Sequence, residues 1–186
     1  MPKLLLELVK ILPLFAAGLA YLILSEWISD KRRRRILSGL AAAQGYEFAE
    51  EDTSQSEPFC ENLAAWHILR RFEIHKVENI LRGTVSGTDF AYFEQYMTAA
   101  IGSIAFRGRH GFKLDPYVQS VMAVAIPADA HFEWEPADHQ DIKVKRRGDW
   151  VYFWPPETQI AAKNVESFLN QVFEFVQAGL KKYQNC

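Results

Sequence analysis

Three groups of residues carry side chains capable of chemistry. His131, Glu133, Glu135, Asp138, His139 and Asp141 gather ligand-type groups within one short segment. Alternation along an extended chain would put His131, Glu133 and Glu135 on one face, where they could hold a divalent ion and serve a metal-dependent hydrolase. The segment lacks the spacing of an established metal motif, and an acidic exposed edge accounts for it more simply, so no metal site is expected. Cys60, His67 and His75 offer a thiol and two bases, but nothing marks Cys60 as an activated nucleophile.

The third group is cationic. Arg107, Arg109, His110 and Lys113 alternate with Gly108 and Gly111 in a loop able to bind an anionic ligand or a lipid headgroup. The strand-to-helix context and the closing Lys-Ser/Thr of a phosphate-binding loop are missing, so a solvated loop is the simpler account. Arg147-Gly148-Asp149 is hairpin chemistry. No residue is assigned a catalytic role and no cofactor motif is found. The expectation is a non-enzymatic protein.

The elements that position these groups begin with the start of the chain. Residues 11–25 carry no charge, and Lys31, Arg32, Arg33, Arg34 and Arg35 follow. An apolar run closed by a basic cluster predicts a membrane anchor helix. The uncharged run spans roughly 22 Å at about 1.5 Å per residue, against a hydrocarbon core of roughly 30 Å. The wider window 4–28 is long enough but includes Glu7, Lys10 and Glu26. Lys10 and Glu26 fall near the two interfaces, where long side chains can snorkel, and Tyr21 and Trp27 are boundary aromatics. The small residues Ala16-Ala17-Gly18 lie inside the run, which disfavours a cleaved signal peptide. The positive-inside bias puts the amino end outside and the carboxyl side in the cytoplasm of a single-pass plasma-membrane protein. Lys31 to Arg35 and Trp27 form the expected membrane-surface set, each cation contributing on the order of 1 kcal/mol near anionic headgroups.

The remainder suits a single domain. Apolar residues make up 49% of the chain and aromatic ones 13%, enough for a core. A net charge of −2 despite the basic cluster leaves the rest mildly acidic, which excludes a general nucleic-acid binder. Two distant cysteines, Cys60 and Cys186, provide no disulfide framework, as in a reducing compartment. The expected organisation is an anchor helix over 1–30, a basic juxtamembrane helix and loop over 31–58, and a cytoplasmic α+β domain over 59–186.

Beyond the anchor, Ile36, Leu37, Leu40 and Ala41 recur at helical spacing before a stop at Gly45. Tyr46-Glu47-Phe48 reads as a brief strand, residues 50–57 as a loop, and Pro58 as the opening of a short helix. A period of two then predicts strands over 79–85 and 90–97 around the tight turn Ser86-Gly87. Further strands are expected over 117–126, 132–134, 142–146 and 150–154. Val165, Phe168, Leu169, Val172, Phe173, Val176 and Leu180 form a stripe at three and four residues. That helix should cover one face of a mainly antiparallel sheet in an α+β fold. Trp150, Tyr152 and Trp154 share one face of their strand, and Val151 and Phe153 the other. The strand is then either central and covered, or docks a partner through its aromatic face.

Asn79-Ile80-Leu81-Arg82-Gly83, Gly87, Phe90 and Phe93-Glu94-Gln95-Tyr96-Met97-Thr98 together resemble a pattern found in an uncharacterised group of bacterial proteins. Gln119 to Pro127, Phe132 to Pro136 and Gly148-Asp149-Trp150 are similar to the later parts of that pattern. Members of the group carry a further strand-and-helix segment before the last hairpin, where this chain is shortened. The resemblance implies a membrane helix and a small α+β domain, and it implies no activity. The functional expectation is an interaction module or accessory subunit tethered to membrane lipids beside a membrane protein partner. The alternative is a cytoplasmic-face sensor using the 107–113 loop.

Overall fold

The computed structural model describes residues 2–52, 72–99, 117–126, 142–155 and 159–184. The chain divides into two compact units, Met1–Ile36 and Leu37–Cys186.

The first unit is the amino-terminal part of helix α1, which runs without interruption over Pro2–Gln44 with Pro13 inside it. The predicted anchor and juxtamembrane helices are therefore one element. Its large apolar residues stay open: Phe15, Leu19, Tyr21, Leu22, Ile23, Leu24, Trp27 and Ile28 are all exposed, Phe15 and Tyr21 at 72%. The segment expected to anchor the chain is thus helical. Among the described residues, however, no helix is long and apolar enough to cross a membrane. The shortness of the uncharged run works in the same direction.

The second unit opens on the last two turns of α1, which enter the domain core through Leu37 and Ala41. Gly45 stops the helix with a φ of 71°, and the Tyr46 N–H donates to the Ala41 carbonyl at 2.8 Å. This six-to-one bond around a left-handed glycine is the Schellman ending, which satisfies a carbonyl the helix leaves without a partner.

Strands β1 (Glu47–Asp52), β2 (Phe72–Val85), β3 (Thr88–Ala99), β4 (Tyr117–Ala125), β5 (Lys143–Arg147) and β6 (Trp150–Trp154) form one sheet. Its order is β1-β2-β3-β4-β6-β5, and every neighbouring pair is antiparallel. The α+β class and the antiparallel sheet agree with the sequence reading. Two boundaries do not. Residues 50–52 belong to β1 rather than to a loop, and β2 starts at Phe72 rather than Asn79. The predicted helix after Pro58 and the predicted strand over 132–134 lie outside the described residues.

Both hairpins use the turn residues expected of them. Ser86 and Gly87 have φ of 52° and 79° between the paired Val85 and Thr88, the positive-φ pair of a type I′ turn. Gly148, with φ of 57°, turns β5 into β6 beside Asp149.

A 3₁₀ turn over Ala162–Asn164 leads into the final helix α2, Val165–Gln184. Val165, Phe168, Leu169, Val172, Phe173 and Val176 of α2 are buried in one cluster with Leu81, Phe90, Tyr92, Met122, Val124, Val151 and Phe153 of the sheet. The apolar stripe is therefore a cover for the sheet, as predicted. Phe90 anchors this layer, edge-on to Phe173 at 5.0 Å and to Tyr46 at 4.9 Å between ring centroids. The opposite face of the sheet buries Val77, Ile80, Ala91, Phe93, Val121, Ala123, Tyr152 and Trp154. A sheet buried on both faces needs apolar residues at successive positions, and Trp150 to Trp154 supplies them.

Candidate functional site

The most unusual feature of the folded unit is polar and sits inside it. Glu94 occupies the middle of β3 with no exposure, beside buried Asn79, Gln95, Gln119 and Ser120. Strand alternation places Phe90, Tyr92 and Glu94 on the α2-covered face. The β3–β4 register sets Ser120 directly opposite Glu94.

A local irregularity in β2 completes the cluster. Between the pairs Glu78↔Glu94 and Leu81↔Tyr92, β2 carries one residue more than β3, which defines a bulge. Asn79 lies in that bulge with a φ of 53°. Asparagine is among the few residues with a side chain that tolerate this left-handed conformation. The bulge turns its amide towards β3, where Nδ2 donates to Glu94 Oε2 at 2.8 Å.

The Glu94 carboxyl collects further donors. The Tyr92 hydroxyl lies 3.1 Å from Glu94 Oε1 and 3.1 Å from Ser120 Oγ. A phenol has one proton, so its two bonds require it to donate in one and accept in the other. The Ile160 N–H donates to Ser120 Oγ at 3.0 Å, and Gln159 Nε2 donates to Glu94 Oε2 at 3.2 Å. A consistent chain therefore runs from Ile160 N–H to Ser120, from Ser120 to Tyr92, and from Tyr92 to Glu94. Asn79 and Gln159 converge on the same carboxyl. The network ties β2, β3, β4 and the segment entering α2 to one acceptor.

Its neighbours follow the same logic. Glu78, buried beside Glu94, pairs with Lys76, whose ammonium also sits 4.6 Å from the centre of the Tyr96 ring. On the opposite face Gln95 Nε2 donates to Gln119 Oε1 at 2.8 Å across the paired strands. Asn79 Oδ1 and Gln95 Oε1 are buried without a hydrogen-bond partner.

Chemically, the cluster is an acceptor surrounded by donors. Among the described residues no histidine joins the network beside Ser120, whose oxygen accepts the Ile160 N–H. Among the described residues no group of histidine, cysteine, aspartate or glutamate could hold a metal ion. The arrangement fixes strand register and the entry to α2.

Arg107, Arg109, His110 and Lys113, together with the whole 131–141 segment, lie outside the described residues. So do Cys60 and His67, while His75 is placed in β2 by its backbone alone. Trp150, Tyr152 and Trp154 lie on β6, between β4 and β5 in the sheet. Tyr152 and Trp154 are buried and Trp150 is half-buried. Of the two readings of this strand, the covered one matches this burial, which leaves little aromatic surface for a partner.

Trp27, Lys31, Arg32, Arg33, Arg34 and Arg35 all lie on α1. Lys31 stacks its ammonium over the Trp27 ring at 3.8 Å, one turn apart. Lys31, Arg32 and Arg35 are exposed, and Arg33 and Arg34 are half-buried.

The polar network could have been suspected from polar Glu94-Gln95 and Gln119-Ser120 in the middle of strands whose other residues are largely apolar. The left-handed Asn79 could not, because its position reads as an ordinary strand residue. No family model, curated protein or solved structure matches the chain.

Proposed function

We propose that this chain is a membrane-tethered, non-enzymatic interaction module, held in the bilayer by α1 and working as an accessory subunit of a membrane protein complex. The observation that carries the reading is the surface of α1. At about 100° per residue, Phe15, Leu19, Tyr21, Leu22, Ile23, Leu24, Trp27 and Ile28 point in directions spread round the helix axis, and all are exposed. A helix apolar on all sides needs an apolar surrounding on all sides. A bilayer supplies one. The Trp27–Lys31 stack and the following cations suit an interface with anionic headgroups, with the Leu37–Cys186 unit on the cytoplasmic side.

The short uncharged run adds a second element to the reading. An apolar stretch shorter than the hydrocarbon core is accommodated by local thinning, snorkelling or association with other helices. The last of these is the reason for naming a membrane protein as partner. An alkaline carbonate wash tests the tether: the native protein stays in the membrane pellet, and release into the supernatant contradicts it. Mild-detergent purification tests the partner: other membrane proteins remain bound, and a solitary protein contradicts that part.

A further inference from the structure

The two edges of the sheet carry opposite charge. Edge strand β1 reads Glu-Phe-Ala-Glu-Glu-Asp and edge strand β5 reads Lys-Val-Lys-Arg-Arg. Glu47, Glu50, Glu51 and Lys143 are exposed, and Lys145 is half-buried. Charged edges usually keep sheets apart, because like charge meets like when two copies approach through the same edge. Here the β1 edge repels another β1 and the β5 edge repels another β5, whereas β1 and β5 attract.

The register decides whether that attraction is usable. In β1, Ala49 pairs with Ile80 and Glu47 with Arg82, so Glu47 and Ala49 share the face that carries Ile80, Phe93 and Tyr152. Glu51, paired with Glu78 beyond the β2 bulge, belongs instead to the face of Glu94. In β5, Lys143, Lys145 and Arg147 pair with Trp154, Tyr152 and Trp150, which places them on that same face. The strand directions also agree. With six strands, each antiparallel to its neighbour, β1 and β5 run in opposite directions. A second copy displaced across the sheet therefore brings its β1 antiparallel to the first copy's β5, with like faces of the two sheets aligned.

We infer that the sheet is extended by a second copy of this chain, β1 of one copy adding to β5 of the next in antiparallel register. The register that matches charge sets Ala49 opposite Lys145 and Glu47 opposite Arg147. Glu47 then lies diagonal to Lys145, within its reach. The contact is heterologous, since each copy uses a different edge, so each copy keeps one edge for a further copy. Backbone hydrogen bonds provide the attachment and the charges choose the partner.

The test uses the full chain in mild detergent, with mass measured by light scattering as protein concentration rises. Wild type associates beyond one copy, and the association weakens on raising salt from 50 to 500 mM. A Lys143→Glu/Lys145→Glu/Arg147→Glu variant has two acidic edges and a Glu47→Lys/Glu50→Lys/Glu51→Lys variant has two basic ones. Each stays monomeric alone, with wild-type circular dichroism showing that it folds. Their equimolar mixture reassembles, because acidic and basic edges now meet between the two variants. Wild type that remains monomeric throughout overturns the inference, and so does association that survives either reversal. The detergent replaces the bilayer round α1, so a failure here leaves the membrane reading standing, and the carbonate wash decides that reading separately.

Discussion

Replacing Glu94 by leucine tests whether the buried carboxyl is the keystone of the polar network. Leucine keeps most of the volume, so the cost arises mainly from the donors left behind rather than from a cavity. Asn79 Nδ2 loses its acceptor at 2.8 Å while remaining buried. A buried donor without a partner costs about 1–3 kcal/mol. Tyr92 keeps Ser120 but loses its bond to Glu94, a loss of about 1 kcal/mol. Gln159 is exposed and exchanges its bond for water. The expected total is about 3 kcal/mol, or a midpoint lowered by about 6–12 °C for a domain of this size. Thermal unfolding followed by near-ultraviolet circular dichroism in mild detergent measures it. Asn79→Gly provides the control, because it removes the orphaned amide and relaxes the positive φ. In that background the Glu94→Leu cost falls by about 2 kcal/mol, a coupling expected of residues in one network. A Glu94→Leu protein within about 0.5 kcal/mol of wild type, or an equal cost in both backgrounds, would refute the reasoning.

Three further outcomes follow from other parts of the fold. At Gly83 a Cβ would meet Tyr46 Cδ1 at 2.6 Å and Phe90 Cε1 at 3.0 Å; because Phe90 also packs on Phe173, Gly83→Ala destabilises by about 1–3 kcal/mol in denaturant titration. Gly45→Ala puts a methyl group on a left-handed position and costs about 1 kcal/mol, measurable in the same assay. Burial, and secondarily the negative charge of Glu166, hold the Tyr46 phenol above its usual 10.0. The folded state therefore keeps this proton when the unfolded chain has released it. The stability this contributes is present below about pH 10 and is lost as pH rises from there through the raised value, so Tyr46→Phe flattens the alkaline limb of a stability–pH profile. An unchanged limb in the phenylalanine variant contradicts that assignment.

How much of this was legible in the sequence depends on the period of each signal. The α2 stripe and the strand Trp150–Trp154 emerged correctly because helical spacing and an apolar five-residue run are local patterns. Ser86-Gly87, Gly148 and Gly45 marked their turns and helix stop because positive φ restricts the residue type. Residues 50–52 misled because acidic side chains lower strand propensity, while pairing of Glu51 and Asp52 with Glu78 and Val77 holds them in β1. The first seven residues of β2 were missed because the alternation there is weak and the long β3 partner supplies the pairing. The site was the least visible part. Glu94 and Asn79 are 15 residues apart, and only the bulge that places them on one face makes them partners.

The proposed function places α1 across a bilayer with the Leu37–Cys186 unit on the cytoplasmic side. Its most direct test is cysteine labelling with a membrane-impermeant maleimide, in cells whose plasma membrane is intact. Two single-cysteine chains are compared, one keeping Cys186 with Cys60→Ser, the other carrying Lys3→Cys with Cys60→Ser and Cys186→Ser. Labelling of the Lys3→Cys chain from outside, with Cys186 reached only after lysis, is the predicted result. Protection of both until lysis, or labelling of Cys186 from outside, would contradict the account.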